Sequence, residues 1–103
     1  MSKRLEKLAG LVAAGETDPF VHYGLAMEYR SLGRNPDALR TFVALRATHP
    51  GYLPMYLICG QLLIAEGKTI EAREWLTTGL ELAGTQGNPK ARSELAEALA
   101  ELD

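Results

Sequence analysis

The sequence has 103 residues, of which 47% are apolar and 23% are charged, so it fits one domain of an ordinary globular protein. Its net charge of −2, from 11 basic and 13 acidic residues, lacks the clustered positive charge that a nucleic-acid-binding surface needs. No apolar run approaches the ~20 residues of a membrane span, and the start of the chain has no signal-peptide pattern. The single cysteine excludes an intramolecular disulfide, so we expect a cytoplasmic protein.

The apolar pattern and the turn signals predict six helices joined by short turns. A proline follows Asp18, Asn35 and Asn88, and these side chains are suited to cap the helices that begin there. The predicted helices cover approximately residues 2–14, 19–32, 36–48, 54–66, 69–83 and 89–102. The fourth helix is the most apolar and is expected to be buried, and residues 84–87 are predicted to form a loop.

The sequence repeats itself at a spacing of 34 residues. The pairs that match at this spacing include Gly33 with Gly67, Ala38 with Ala72, Arg34 with Lys68, Asp37 with Glu71, and Phe42 with Leu76. A period of this length is typical of helical repeats, in which each unit buries its apolar face against its neighbours. The chain is therefore divided into a flanking helix, two repeats and a capping helix, which together form a single domain and cover residues 1–18, 19–52, 53–86 and 87–103.

The 34-residue unit resembles the tetratricopeptide repeat. In the first copy, the positions of the family pattern are occupied by Ala26, Tyr29, Gly33, Ala38, Phe42 and Pro50. In the second copy, they are occupied by Tyr56, Gly60, Gly67, Ala72 and Leu76. Departures from the pattern occur at His22, Leu45, Leu63, Gly79 and Gly84. The resemblance implies an all-α fold, in which antiparallel helix pairs stack into a right-handed superhelix.

The resemblance also implies a place for a partner. In the family, the first helix of each unit lines a concave groove that holds peptides. The corresponding residues here are mostly apolar, and they are Phe20, Tyr23, Met27, Arg30, Leu57, Ile58, Gln61 and Ile64. Tyr23, Met27 and Ile58 replace the polar residues with which some members grip a C-terminal carboxylate. We therefore expect an adaptor that binds an apolar or amphipathic peptide or helix, with Arg30 and Gln61 fixing its direction.

Two alternatives apply to the same groove. The terminal helices of the chain could cover it, or a second copy could fill it in a homodimer. A separate feature is the charge of the two terminal helices, which is basic at Lys3, Arg4 and Lys7 and acidic at Glu94, Glu97, Glu101 and Asp103. Opposite charge at opposite ends could favour head-to-tail association, although solvated helix faces also account for it.

No catalytic or metal site can be assembled from the sequence. Residues 67–69 read Gly-Lys-Thr, like the end of a phosphate-binding loop, but Leu62 stands where that motif needs a glycine and a helix precedes it. His22, His49 and Cys59 are too few and too scattered to bind a metal ion. Cys59 lies among apolar residues and is expected to be buried. We predict a protein that is not an enzyme and that has no cofactor.

Overall fold

The computed structural model describes residues 2–103, and this part of the chain consists of six α-helices without a strand. The predicted all-α class is confirmed. The helices are α1 (Lys3–Ala13), α2 (Pro19–Ser31), α3 (Asn35–Thr48), α4 (Pro54–Ala65), α5 (Thr69–Thr85) and α6 (Pro89–Ala100). The chain divides into two compact units, of which unit 1 (Met1–Tyr52) holds α1 to α3 and unit 2 (Leu53–Asp103) holds α4 to α6.

The same helix-ending turn joins the first helix to the second in each repeat. The φ angle of Gly33 is +74° and that of Gly67 is +75°, a left-handed conformation that favours glycine. After Gly33, the amide of Arg34 donates to the Tyr29 carbonyl at 2.8 Å. After Gly67, the amide of Lys68 donates to the carbonyl of residue 63, also at 2.8 Å. The matched glycines of the 34-residue period therefore specify identical turns between the first and second helices of each repeat.

Helix capping agrees with the sequence at two of the three predicted positions. The Asp18 carboxylate accepts a hydrogen bond from the Phe20 amide at 2.9 Å, and the Asn88 side chain accepts one from the Ala91 amide at 3.0 Å. The third prediction is wrong by one residue, because α3 already includes Asn35.

The predicted loop at residues 84–87 is also wrong. Helix α5 continues to Thr85, and the chain leaves it at Gly87, whose φ is +66°. Gly84 stays helical, because a glycine costs only about 1 kcal/mol in a helix interior and the hydrogen-bonded turns on both sides offset that cost.

Unit 1 is built around α2, which packs against both α1 and α3. The buried apolar residues of this unit are Leu5, Leu25, Ala26, Ala38, Phe42 and Leu45. An ion pair also joins α1 to α2, with 3.1 Å between Arg4 Nε and Glu28 Oε2. Ala38 has no exposed surface, so nothing larger than a methyl group fits at this position without rearrangement.

Unit 2 is built around α5, which packs against α4 and α6. Two glycines allow the close approach of these helices. A Cβ on Gly60 would lie 2.5 Å from Leu76 Cδ2, and a Cβ on Gly79 would lie 2.5 Å from Tyr56 Cβ. The Tyr56 ring lies 5.6 Å from the Trp75 ring, and Cys59 is fully buried, as predicted.

Candidate functional site

The eight residues predicted to bind a partner lie on two surfaces, one in each unit. The α2 surface consists of Phe20, Tyr23, Met27 and Arg30. The α4 surface consists of Leu57, Ile58, Gln61 and Ile64. The spacing within each set places its members on one side of its helix. None of the eight side chains is fully buried.

The α2 surface begins with an exposed aromatic ring. Phe20 lies in the first turn of α2, directly after the Asp18 cap and Pro19, and 67% of its surface is exposed. Met27 is half-buried and Arg30 is exposed at the other end of the same helix side. Such a large exposed ring is a common feature of binding surfaces, because its burial against a partner is favourable.

Tyr23 gives this surface a rigid support. Its ring lies 5.5 Å from the Tyr52 ring and 6.3 Å from the Phe42 ring. Burial raises the pKa of Tyr23, the neighbouring Tyr52 raises it further, and Arg30 lowers it. Burial, with a contribution from Asp18, also raises the pKa of Tyr52. Both phenol groups are therefore neutral near pH 7 and can donate as well as accept a hydrogen bond.

Arg30 supplies the one positive charge of the α2 surface. Within residues 2–103 its guanidinium group forms no ion pair, whereas Arg4, Arg34, Arg40 and Arg73 each hold a carboxylate of their own unit. An exposed guanidinium without a carboxylate partner is available for a carboxylate or for carbonyl oxygens of a ligand.

The α4 surface differs from the α2 surface in having no charge. Leu57, Ile58 and Ile64 are half-buried, and Gln61 is exposed. This surface can offer apolar contact and one amide group, which both donates and accepts hydrogen bonds.

A cluster of three charged side chains in unit 1 stabilises the start of α3. The Asp37 carboxylate accepts hydrogen bonds from both Arg34 and Arg40, and the Arg34 guanidinium lies 4.9 Å from the centre of the Tyr29 ring. Desolvation raises the pKa of Asp37, but the hydrogen bonds from the two arginines outweigh it, and the pKa lies below its usual value. This cluster holds an ionised carboxylate at a helix N-terminus, where negative charge is stabilised.

The sequence interpretation missed two exposed apolar side chains on the second helices of the repeats. Ile70 in α5 is 87% exposed and Val43 in α3 is 58% exposed. The available signal was periodicity, because Ile70 falls outside the stripe formed by the buried residues Ala72, Trp75 and Leu76 of the same helix. Single exposed aliphatic residues of this kind are common on protein surfaces and do not define a site.

Within residues 2–103, no group of three or more His, Cys, Asp and Glu side chains is arranged to hold a metal ion. In the same range, every helix is too short or too polar to pass through a lipid bilayer.

Comparison with solved structures places the fold in a family. The crystal structure of a tetratricopeptide repeat domain protein from Salinibacter ruber is 32% identical in sequence, with a TM-score of 0.79, and the match covers 84% of this chain and 96% of that chain. The chain belongs to the tetratricopeptide repeat family. A solution structure of the same Salinibacter ruber protein is 33% identical over its match, with a TM-score of 0.78, and the match covers 82% of this chain and 86% of that chain.

A more distant structure shows the same fold over almost the whole sequence. The solution structure of a protein from Bordetella parapertussis is 24% identical, has a TM-score of 0.83, and matches 99% of this chain and 89% of that chain. No protein-family model and no curated protein matches the sequence. As a tetratricopeptide repeat protein, the chain is a helical-repeat module of the kind that mediates protein–protein interaction.

Proposed function

We propose that this tetratricopeptide repeat protein is a non-catalytic adaptor that binds an apolar or amphipathic segment of another protein through the α2 surface. The observation that carries the proposal is the exposure of Phe20 on the helix side that also bears Tyr23, Met27 and the unpaired Arg30. Burial of the exposed two thirds of Phe20 contributes about 1–2 kcal/mol, and aromatic and arginine side chains are enriched among residues that dominate binding energy.

The chemistry of this surface limits the partner. Phe20 and Met27 require apolar side chains spaced by about two helical turns, as on one side of an amphipathic helix. Arg30 requires a carboxylate or the carbonyl end of a helix near one terminus of that segment. The uncharged α4 surface would give a second, apolar contact to the same or another segment.

The test is a quantitative pull-down from the source cell with matched bait proteins. In one variant, Phe20→Ser and Arg30→Glu change the α2 surface, and in another, Leu57→Glu and Ile64→Glu change the α4 surface. The control is Ile70→Ser, which removes the most exposed apolar side chain outside both surfaces. We expect the α2 variant to capture its partner at least about tenfold less than the control, because the loss of the Phe20 contact and the reversed charge at Arg30 together remove at least about 1.4 kcal/mol.

Folding of each bait is verified by circular dichroism and thermal melting before the pull-down. A folded α2 variant that captures the same protein as the control at the same level would contradict the proposal. Multi-angle light scattering at increasing concentration tests the alternative in which a second copy covers the same surface. A dimer that is lost in the α2 variant would replace the adaptor proposal with homo-oligomerisation.

A further inference from the structure

Within residues 2–103, the first and last helices have no pair of their own. Each repeat joins a first helix to a second helix through three residues, 32–34 in unit 1 and 66–68 in unit 2. Helix α1 comes before the first pair and packs against α2, and α6 comes after the second pair and packs against α5 and α4. In each repeat, a first helix packs against the second helix that follows it. In the part of the chain that the structure describes, α1 occupies the place of a second helix whose first helix is absent, and α6 occupies the place of a first helix whose second helix is absent.

A comparison of α6 with α2 locates the side of α6 that lacks a partner. Both helices begin with a proline, and the leucine six residues later is buried in each, with Leu25 5% and Leu95 1% exposed. The next residue differs, because Ala26 has no exposed surface whereas Ala96 is exposed. Helix α2 has neighbours on two sides, α1 and α3, and α6 lacks the counterpart of α3 among residues 2–103.

A hollow beside this open side of α6 provides space for side chains of another helix. Its volume is about 530 Å³, and it lies where the end of α5 meets the first half of α6. Its lining consists of Ala83, Gly84, Gly87, Asn88, Pro89, Arg92, Ser93 and Ala96. Most of these side chains are small, so a bulkier aliphatic side chain can enter beside Arg92.

The exposed sides of α6 and α1 carry opposite charges at the same spacing. On α6, a stripe with one residue every four consists of Ser93, Glu97 and Glu101. On α1, the corresponding stripe consists of Lys3, Lys7 and Leu11. Neighbours within each stripe are about 6 Å apart along the helix. All of these residues are exposed, and none of the four charged side chains forms an ion pair within residues 2–103.

We infer that α6 of one copy binds α1 of a second copy as an antiparallel helix pair. This pairing places Lys3 against Glu101, Lys7 against Glu97, and Leu11 at Ser93, where the leucine enters the hollow. It also brings the positive N-terminal end of α1 to the acidic end of α6. The contact completes a repeat between the two copies, and it is independent of the proposed adaptor function because it uses neither the α2 surface nor the α4 surface.

The wider charge distribution favours the second copy as the occupant. Unit 1 has 7 basic and 5 acidic residues and unit 2 has 4 basic and 8 acidic residues, which gives net charges of +2 and −4. Long-range attraction therefore brings unit 1 of one copy towards unit 2 of another. An interface made by one pair of short helices lies at the small end of protein interfaces, so the association is weak, reversible and sensitive to salt.

The test is sedimentation equilibrium of the full chain from about 10 μM to about 1 mM, in about 0.05 M and about 0.5 M NaCl. One variant carries Lys3→Glu and Lys7→Glu, and the other carries Glu97→Lys and Glu101→Lys. Each variant alone sets like charges against each other, so we expect each to associate at least about tenfold more weakly than the wild type. An equimolar mixture of the two variants restores opposite charges at the interface, and we expect association to return.

The control for net charge is a variant with Glu66→Lys and Glu81→Lys, whose exposed carboxylates lie outside α6. It has the same net charge as the Glu97 and Glu101 variant and loses the same long-range attraction, but it keeps the carboxylates of α6, so it should associate more tightly than that variant. Leu11→Ser tests the hollow separately and should weaken association without changing its dependence on salt. A wild type that stays monomeric at about 1 mM in low salt would overturn the inference. Association at the wild-type level by the folded Lys3 and Lys7 variant and the folded Glu97 and Glu101 variant would also overturn it. So would a mixture of folded variants that stays monomeric.

Discussion

Units 1 and 2 contain the same helical repeat but fill its interior in different ways. At corresponding positions, unit 1 has His22 on its first helix and Leu45 on its second, whereas unit 2 has Tyr56 and Gly79. Leu45 is fully buried in unit 1, and in unit 2 the β-carbon of Tyr56 occupies the space that a side chain on residue 79 would need. Because His22 also has a β-carbon, the difference indicates a closer approach of α5 to α4, and Leu95 of α6 limits the same space at 3.0 Å.

The two departures from the family pattern at Leu45 and Gly79 therefore belong to the packing of each unit. Ala38 and Ala72, which occupy corresponding positions, are fully buried in both units. The comparison separates a position where both units require a small residue from a position where only unit 2 requires one.

The largest expected effect is at the positions that do not vary between the units. Ala38→Leu in unit 1 and Ala72→Leu in unit 2 each insert three carbon atoms at a site with no exposed surface. We expect each to lower the free energy of unfolding by about 1–3 kcal/mol. The measurement is urea denaturation, with Ala47→Leu on the exposed side of α3 as the control. Unchanged midpoints for both buried substitutions would show that these alanines are not close-packing positions.

The next largest effect is expected at Gly79 of unit 2, and Gly24 of unit 1 provides the comparison. A Cβ at Gly79 would lie 2.5 Å from Tyr56 Cβ, an atom fixed to the backbone of α4, so the two helices would have to move apart. We expect Gly79→Ala to destabilise the protein by about 1–2 kcal/mol, even after the helix propensity of alanine is included. At Gly24 of unit 1, the nearest atom would be Leu8 Cδ2 at an ordinary 3.8 Å.

Gly24→Ala is therefore the matched control, and we expect it to stabilise the protein by about 0.5–1 kcal/mol through helix propensity. Thermal melting of both variants in one buffer measures the difference. If both substitutions stabilise the protein, or both destabilise it, the proposed difference in helix packing between the two units is wrong.

The smallest effect concerns the tyrosine pair of unit 1 and appears only in alkaline solution. Burial raises the pKa of Tyr23 and of Tyr52, so the folded state holds these protons more tightly than the unfolded state. Their contribution to stability is complete below the unfolded pKa of about 10 and is lost as pH rises through the folded values. Urea denaturation from about pH 8 to about pH 11 should show a steeper decline for the wild type than for Tyr23→Phe with Tyr52→Phe. Parallel declines would show that Tyr23 and Tyr52 do not cause the loss of stability at alkaline pH.

The sequence predicted the helices well because their start and stop signals are local. Proline after a capping residue begins α2 and α6, and glycine with positive φ ends α2 and α4. The end of α5 was missed because Gly84 and Gly87 are both plausible stops, and the hydrogen bonds that favour Gly87 depend on the folded turn. Local signals thus specify where helices exist more reliably than where they end.

The candidate site was less predictable than the fold. Family resemblance identifies the helix side that bears Phe20 and Arg30, but an apolar pattern cannot distinguish a buried phenylalanine from one that is 67% exposed. Likewise, the exposure of Ala96 depends on which helix is its neighbour, which periodicity alone does not reveal. A binding surface consists of side chains that stay exposed after folding, and their exposure depends on how every neighbouring helix packs.

The placement of Trp75 and Cys59 gives the molecule two natural reporters of unit 2. They are the single tryptophan and the single cysteine of the chain, and both are buried in that unit. Tryptophan emission and the rate of thiol alkylation therefore follow the opening of unit 2, whereas far-ultraviolet circular dichroism follows the helices of both units. When the three signals coincide along one denaturation curve, the two repeats unfold as one cooperative system.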